Sequence, residues 1–332
     1  MMNVSNATVP SIDASINVWG SILGMILFIA GLVLNIFVAY IFITDKFFAQ
    51  ISYRLMLISV FSDIISIIGQ IISYAIKFFY FVNHYEGSMV CKITNSIASI
   101  SFGVSIYNLY LIAFDRYYMI LHPHSSFYAN NKYRIMTISE IIVWLMSGLL
   151  SINYFYIIGS LPEDTKICDF IDKSISTSIY LIFKIMFSYV IPSIIIAVIY
   201  YRIIRHQNRY IRPGLATEEE LSIQIKRKRK VTRKLIFITF GFILTTWPSY
   251  VTFMYIAISR KSATTIRAEN HLLYVFLSLI FLGSFSVTVV TPLLYLKFDE
   301  NVRARAWNLL KCQKVASVMR CRKNNVIHVA ER

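Results

Sequence analysis

Charge is scarce in this chain. Only 15% of its 332 residues are charged, against roughly a quarter in a soluble domain. Over so many residues, that shortage excludes an ordinary water-facing surface and points to a bilayer as solvent. Glycine and proline are few, 11 and 7, so no long flexible linker is apparent. No internal repeat is visible, and the one biased segment is the basic run Lys226–Lys230. Metal-spaced His/Cys clusters, phosphate loops and nucleophile motifs are lacking, which leaves no enzyme site to argue for. His122 and His124, either side of Pro123, read as solvated loop residues. No cleavable leader is expected. Residues 1–17 are polar without a basic start, and the apolar run after them is longer than a signal core.

What the chain has is apolar length. Hydrophobic residues make up 57% of it, and a spanning helix needs about 20 of them in a row. Seven runs qualify: 18–44, 52–82, 88–121, 134–158, 176–206, 230–259 and 269–296. A stretch at 299–311 puts Val302, Ala306, Leu309 and Leu310 on one helical face, with Arg303, Arg305 and Lys311 outside it. That pattern suits a helix lying on a membrane surface. The fold expected is an all-α membrane protein, a seven-transmembrane helix bundle with a short amphipathic eighth helix. Its divisions are an N-terminal segment 1–17, the bundle 18–296, and an amphipathic helix with tail 297–332.

The net charge of +16 does not imply nucleic acid, because the basic residues collect in short stretches between apolar runs. One set of loops holds Lys46, Arg54, Lys132, Arg134, Arg202, Arg205, Arg209, Arg212, the 226–234 cluster and the tail. The other set holds fewer, partly offset by acids such as Glu86, Glu163, Asp164, Asp169 and Asp172. The richer side is expected to be cytoplasmic. The N-terminus is then outside, where the sequons at Asn3 and Asn6 become glycosylation candidates.

Polar residues inside the spans need a reason, since an ionisable one costs about 3 kcal/mol on insertion scales. Asp63 sits mid-helix in the second run, Asn35 in the first and Ser105 in the third. Asn35 reads as a plain interhelical hydrogen-bond former. A buried Asp63 asks for a cation or a proton.

Several short motifs stand in order along the seven runs. They are Gly31-Leu-Val-Leu-Asn35, Ser59-Val-Phe-Ser-Asp63, Asp115-Arg116-Tyr117, Trp144, Pro192 with Tyr200, Pro248, and Thr291-Pro292-Leu-Leu-Tyr295. Cys91 lies 25 residues before Arg116. Taken together, the set resembles the landmarks of rhodopsin-like G-protein-coupled receptors, and the likeness covers all seven runs. It implies a plasma-membrane receptor that binds an extracellular ligand and activates a heterotrimeric G protein. It also implies a Cys91–Cys168 disulfide, and a sodium ion held by Asp63 and Ser105 as the single expected cofactor-like ligand. Asp115 is expected to pair with Arg116 at rest. Tyr200 and Tyr295 would steady Arg116 in the active packing, although interface anchoring is the plainer role for tyrosines. Ile106, Pro192 and Phe242 match the family's core trio. Cys312 is a palmitoylation candidate, with a free thiol the alternative.

The sequence also departs from the family pattern. Thr291 replaces the usual Asn, and Trp247 stands one residue out of place before Pro248. Lys228 replaces the acid that often pairs with the triplet's arginine. Thr232 can substitute for that acid with a weaker hydrogen bond to Arg116, and raised basal signalling is expected. Ala98 and Phe285 stand where amine receptors and opsins carry their ligand-binding aspartate and lysine, which disfavours both ligands. A peptide is the first expectation, and a small anionic or lipid ligand the second. Pocket walls are expected at Gln70, Tyr74, Phe102, Tyr250, Phe253, Leu277 and Phe281. Lys184 either anchors an anionic ligand group or snorkels to the lipid headgroups. A secondary transporter and a non-signalling decoy receptor are the readings from other classes.

Overall fold

A computed structural model describes residues 9–79, 83–123, 125–162, 165, 168–209 and 218–314. Seven of its helical segments are long and apolar enough to cross a membrane: Trp19–Thr44, Ile51–Ile76, His84–Leu121, Ser126–Ile157, Ile175–Asn208, Arg229–Ser259 and His271–Phe298. An eighth helix, Glu300–Lys314, follows the last span. The bundle is therefore the seven-span fold expected, with the amphipathic segment in place.

Some boundaries differ from hydropathy, for local reasons. The third helix starts at His84 because Asn83 caps it, its side chain accepting from Glu86 N while Glu86 reaches back to Asn83 N. The fourth helix begins at Ser126, in polar turns that an apolar window passes over. It ends at Leu149. A short helix, Tyr154–Ile157, then leads into β1, Ile158–Ser160. That strand pairs antiparallel with β2, Cys168–Phe170. The fifth span is two α-helical stretches, Ile175–Ile185 and Ile191–Arg209, joined by a π-helical turn at Met186–Val190.

That π turn has a cause in Pro192, which carries no N–H. The N–H of Ile191 bonds Met186 O, one residue further back than an α-helix would use. Phe187 O is left over, and the Tyr107 hydroxyl of the third helix donates to it at 2.7 Å. The seventh span behaves alike. It breaks between His271–Ser284 and Val287–Phe298, and Pro292 cannot donate to Thr288 O. Asn35 of the first helix supplies the donor, its Nδ2 bonding Thr288 O and Gly31 O at 2.8 Å each.

The third helix is the central post. Its buried positions run from Gly87 to Asp115, and it packs against the second, fourth and fifth spans. Outward positions such as Ile29, Val33, Ile36, Ile141 and Leu145 are exposed and apolar, as lipid contact requires.

The first and seventh helices meet closely at Gly31. A Cβ there would stand 2.7 Å from Thr288 Oγ1 and 3.3 Å from Thr288 O. Gly31→Val should therefore destabilise the bundle by about 1–3 kcal/mol through overpacking. Gly69, with open space around it, serves as control. Thermal unfolding in detergent should show a lowered Tm for Gly31→Val and little change for Gly69→Ala. Equal Tm values would contradict the close contact.

Candidate functional site

Mid-bundle, Asp63 sits where the second, third and seventh spans converge. Ser101 and Ser105 both donate to its Oδ1, at 3.0 and 3.2 Å. Beside it lies a cavity of about the size that holds one water, lined by Ser59, Asp63, Ser105, Leu109, Ile238, Phe242, Thr291 and Tyr295. Thr291 Oγ1 is buried there without a partner. One carboxylate and several hydroxyls around a small cavity form an oxygen-rich set that suits a hard cation.

The Arg116 end is built differently from the expectation. Asp115 does not pair with Arg116 but with Lys132, at 2.6 Å, and accepts from the Tyr128 hydroxyl at 2.8 Å. The early start of the fourth helix is the reason, because it brings Tyr128 and Lys132 against the third. Arg116 instead donates to Ser52 Oγ of the second helix at 2.8 Å, and its Nε is buried without a partner. Tyr117 lies against Tyr118 and His122. The Tyr200 hydroxyl contacts Thr239 Oγ1 at 3.4 Å, and Tyr295 lines the Asp63 cavity. Thr232 accepts from Gln207 at 3.0 Å. Ile106 and Phe242 share one apolar core, and Pro192 and Pro292 are buried. Pro248 lies within the sixth helix, and Trp247 beside it is 47% exposed on the outer face. The side chains of Lys228 and Cys312 lie outside the described residues, as do Asn3 and Asn6.

At the hairpin end, Cys91 and Cys168 form a disulfide with Cα atoms 5.5 Å apart. It ties β2 to the third helix. Asp169 then accepts from Ala263 N, Thr264 N and Thr264 Oγ1, each at 2.9 Å, so the hairpin also grips the connection between the sixth and seventh spans.

Beneath the hairpin, the expected pocket walls fall into groups. Phe253 meets Phe170 of β2, Tyr154 and Phe281, and Phe281 meets Phe285. Phe285 touches Phe102 and Phe28, and Phe28 touches Tyr74. Leu277 is buried, and Gln70 donates to Thr94 O at 3.3 Å. Tyr250 stacks on Tyr189 at 4.3 Å.

Lys184 does not snorkel. It is 6% exposed, its ammonium donates to Ser99 Oγ, and it sits 3.6 Å over the Tyr154 ring. Among the described residues no carboxylate pairs with it.

Residues 34–295 match the family described as 7 transmembrane receptor (rhodopsin family). The chain belongs to that family. These are receptors and not enzymes, and the transporter reading falls with the match. The receptor is 25% identical to "Probable G-protein coupled receptor 19" of Rattus norvegicus over 242 residues, 72% of this chain and 54% of that protein. It is 26% identical to "Tachykinin-like peptides receptor 86C" of Drosophila melanogaster over 238 residues, 68% of this chain and 45% of the other. It is 25% identical to "Neuropeptide Y receptor type 2" of Cavia porcellus over 235 residues, 69% and 59%. The receptor spans about half the length of these relatives.

Three polar contacts were not read from the sequence. One is the Asp169 grip. Another is Glu140 of the fourth span, an acid inside an apolar run. The third lies at the Arg116 end, where Lys234 of the sixth helix pairs with Asp299 at 2.5 Å and the Tyr53 hydroxyl donates to the same oxygen at 2.8 Å. Asp299 is 2% exposed. The pair ties the sixth helix to the junction of the seventh and eighth. Lys234→Met would leave a buried carboxylate without its cation, which costs about 3 kcal/mol or more. A clear drop in Tm is expected for Lys234→Met, with partial retention for Lys234→Arg. Unchanged stability in both would mean that the tie contributes nothing.

Proposed function

We propose that the receptor binds an extracellular ligand bearing an anionic group, a peptide foremost, and activates a heterotrimeric G protein at its Arg116 end. The observation that carries the ligand class is Lys184, a buried cation facing the bundle with no acid paired to it among the described residues. An unpaired buried charge is costly, and a ligand anion beside it relieves that cost. The names of the tachykinin-like and neuropeptide Y receptors among the similar proteins favour a peptide over a small anion or lipid. The excess of basic residues on the Arg116 side favours a cytoplasmic placement of that end.

Signalling is a population shift between two packings, and the ligand must favour the active one. Pro192, Pro248 and Pro292 provide kinks about which helices bend. Outward movement of the sixth helix breaks the Lys234–Asp299 pair and opens a cleft beside Arg116. Tyr200 and Tyr295 leave Thr239 and the Asp63 cavity to steady it there. Asp63, Ser105 and Thr291 offer the oxygens for a sodium ion in the resting packing, which such an ion would favour.

The test is a panel of peptides with and without acidic groups, read by cAMP and calcium. The cells are selected for an N-terminal epitope tag without permeabilisation. Acidic peptides should include the agonists. Lys184→Met should abolish or greatly weaken their potency, and Lys184→Arg should keep part of it. Unaltered potency in Lys184→Met at equal surface level would overturn the anionic-group reading. Sodium is tested separately in purified receptor. Sodium chloride should raise the Tm above that in a large-cation chloride of equal ionic strength, and Asp63→Asn should abolish the difference. No sodium effect on the wild type would remove the ion from the scheme.

A further inference from the structure

The fourth span carries an acid that the receptor mechanism leaves unused. Glu140 lies mid-helix, half-buried on the side facing the third span. Its Oε1 accepts from Trp144 Nε1, one turn on, at 3.1 Å, and from Asn108 Nδ2 at 3.4 Å. Its Oε2 is buried without a partner. Asn108 is wholly buried, and its Oδ1 is also without a partner.

The cluster is short of one donor. Asn108 Nδ2 also faces Ser59 Oγ at 3.1 Å and Leu55 O at 3.4 Å, both acceptors to it. The Ser59 hydroxyl is committed to Leu55 O at 3.2 Å. Turning the Asn108 amide over exchanges its two ends and sets Glu140 against an acceptor, so the shortage persists. Each buried acceptor without a donor costs about 1–3 kcal/mol.

Ionisation of Glu140 would make this worse. Among the described residues no Lys, Arg or His forms an ion pair with it. The groups facing it are neutral: Trp144 on its own helix, Asn108 on the third, and Ser59 of the second behind Asn108. Its flanks on the fourth helix, Ile141 and Leu145, are exposed apolar residues. A carboxylate held there by neutral N–H groups on one oxygen lacks the partner that a buried charge needs.

We infer that Glu140 is a proton-binding site, its carboxylic acid forming a reciprocal pair with the Asn108 carboxamide. A carboxyl proton on Oε2 turns that atom from acceptor to donor. It then meets Asn108 Oδ1 while Asn108 Nδ2 meets Oε1, and one proton satisfies both orphaned atoms. The proton comes from water and no other bond changes. Through Asn108 and Ser59 the site is joined to the Asp63 cavity, which Ser59 also lines. The bundle thus carries two intramembrane carboxyls, with Asn108 and Ser59 leading from one to the cavity beside the other. Asp63 stands beside the cavity, and Glu140 is closed on a carboxamide.

Infrared spectroscopy of the purified full chain at neutral pH tests this. A protonated carboxyl gives a C=O stretch above the amide envelope, whereas a carboxylate does not. The band is expected in wild type and in Asp63→Asn. In the Asp63→Asn background it should be lost when Glu140→Gln, which mimics the neutral acid, is added, and shifted by Glu140→Asp. Isotope-labelled glutamate in the unmutated chain reads the same site without any substitution. The label should shift a protonated-carboxyl band, because the other described glutamates lie in loops or at helix ends. No label-sensitive acid band in the wild type, with only carboxylate bands moving, would mean that Glu140 is ionised, and would overturn the proposal. An acid band in Asp63→Asn that survives unchanged when Glu140→Gln is added would overturn it equally.

Discussion

Hydrocarbon offers no hydrogen bonds, so every polar group inside the bundle must find its partner inside the bundle. That constraint accounts for how the helices are joined. Pro192 and Pro292 each withhold a backbone donor, and the carbonyls left over are taken by side chains of other helices. Tyr107 donates to Phe187 O and Asn35 to Thr288 O. The prolines therefore do more than kink their own helices. Each creates an acceptor that fixes a neighbour in position, the third helix against the fifth and the first against the seventh. Gly31 completes the second junction, since only a residue without Cβ lets Asn35 come close enough to Thr288.

Much of this was legible in the sequence, because length and hydropathy dictate spans and the short motifs occupy the helices that the family match requires. Asn35 reads as an interhelical hydrogen-bond former, and it is one. Asp63 with Ser105 reads as a polar pair, and the two side chains touch. The illegible parts share a cause, which is that the partner lies far along the chain or in an irregular turn. Lys234 and Asp299 are 65 residues apart, and nothing local in either segment announces the other. Glu140 has its partner on another helix, 32 residues away. The π turn at Met186–Val190 adds a residue to the fifth helix and rotates what precedes it by about 100° relative to Pro192. The face occupied by Lys184 cannot be counted from that proline on a regular helix.

The Asp115 pairing shows how one boundary alters a site. Hydropathy starts the fourth helix at residue 134, in apolar sequence, and leaves Asp115 with its neighbour Arg116 as the obvious partner. The helix starts two turns earlier, on a Ser125 cap. Those polar turns deliver Lys132 and Tyr128 to Asp115. Arg116 is released to Ser52 of the second helix. An arginine held by one neutral hydroxyl, with its Nε unpaired, is more weakly fixed than one locked to a carboxylate. In the proposed scheme the resting packing would then be held by contacts elsewhere at that end.

Lys234 and Asp299 are placed to supply one such contact. An ion pair of this kind suits a switch better than an apolar contact would. Its strength depends on staying dry, and Asp299 is nearly inaccessible while Lys234 is mostly covered. In the proposed scheme a small outward movement of the sixth helix would admit water to both partners, and the Coulomb attraction falls steeply as the effective dielectric rises. Each charge then regains hydration that burial had denied it, so the open packing is not left with two bare ions. The tie is strong while closed and inexpensive to lose once open. The proposed two-packing scheme needs that property at this end of the sixth helix, where its movement would open the cleft.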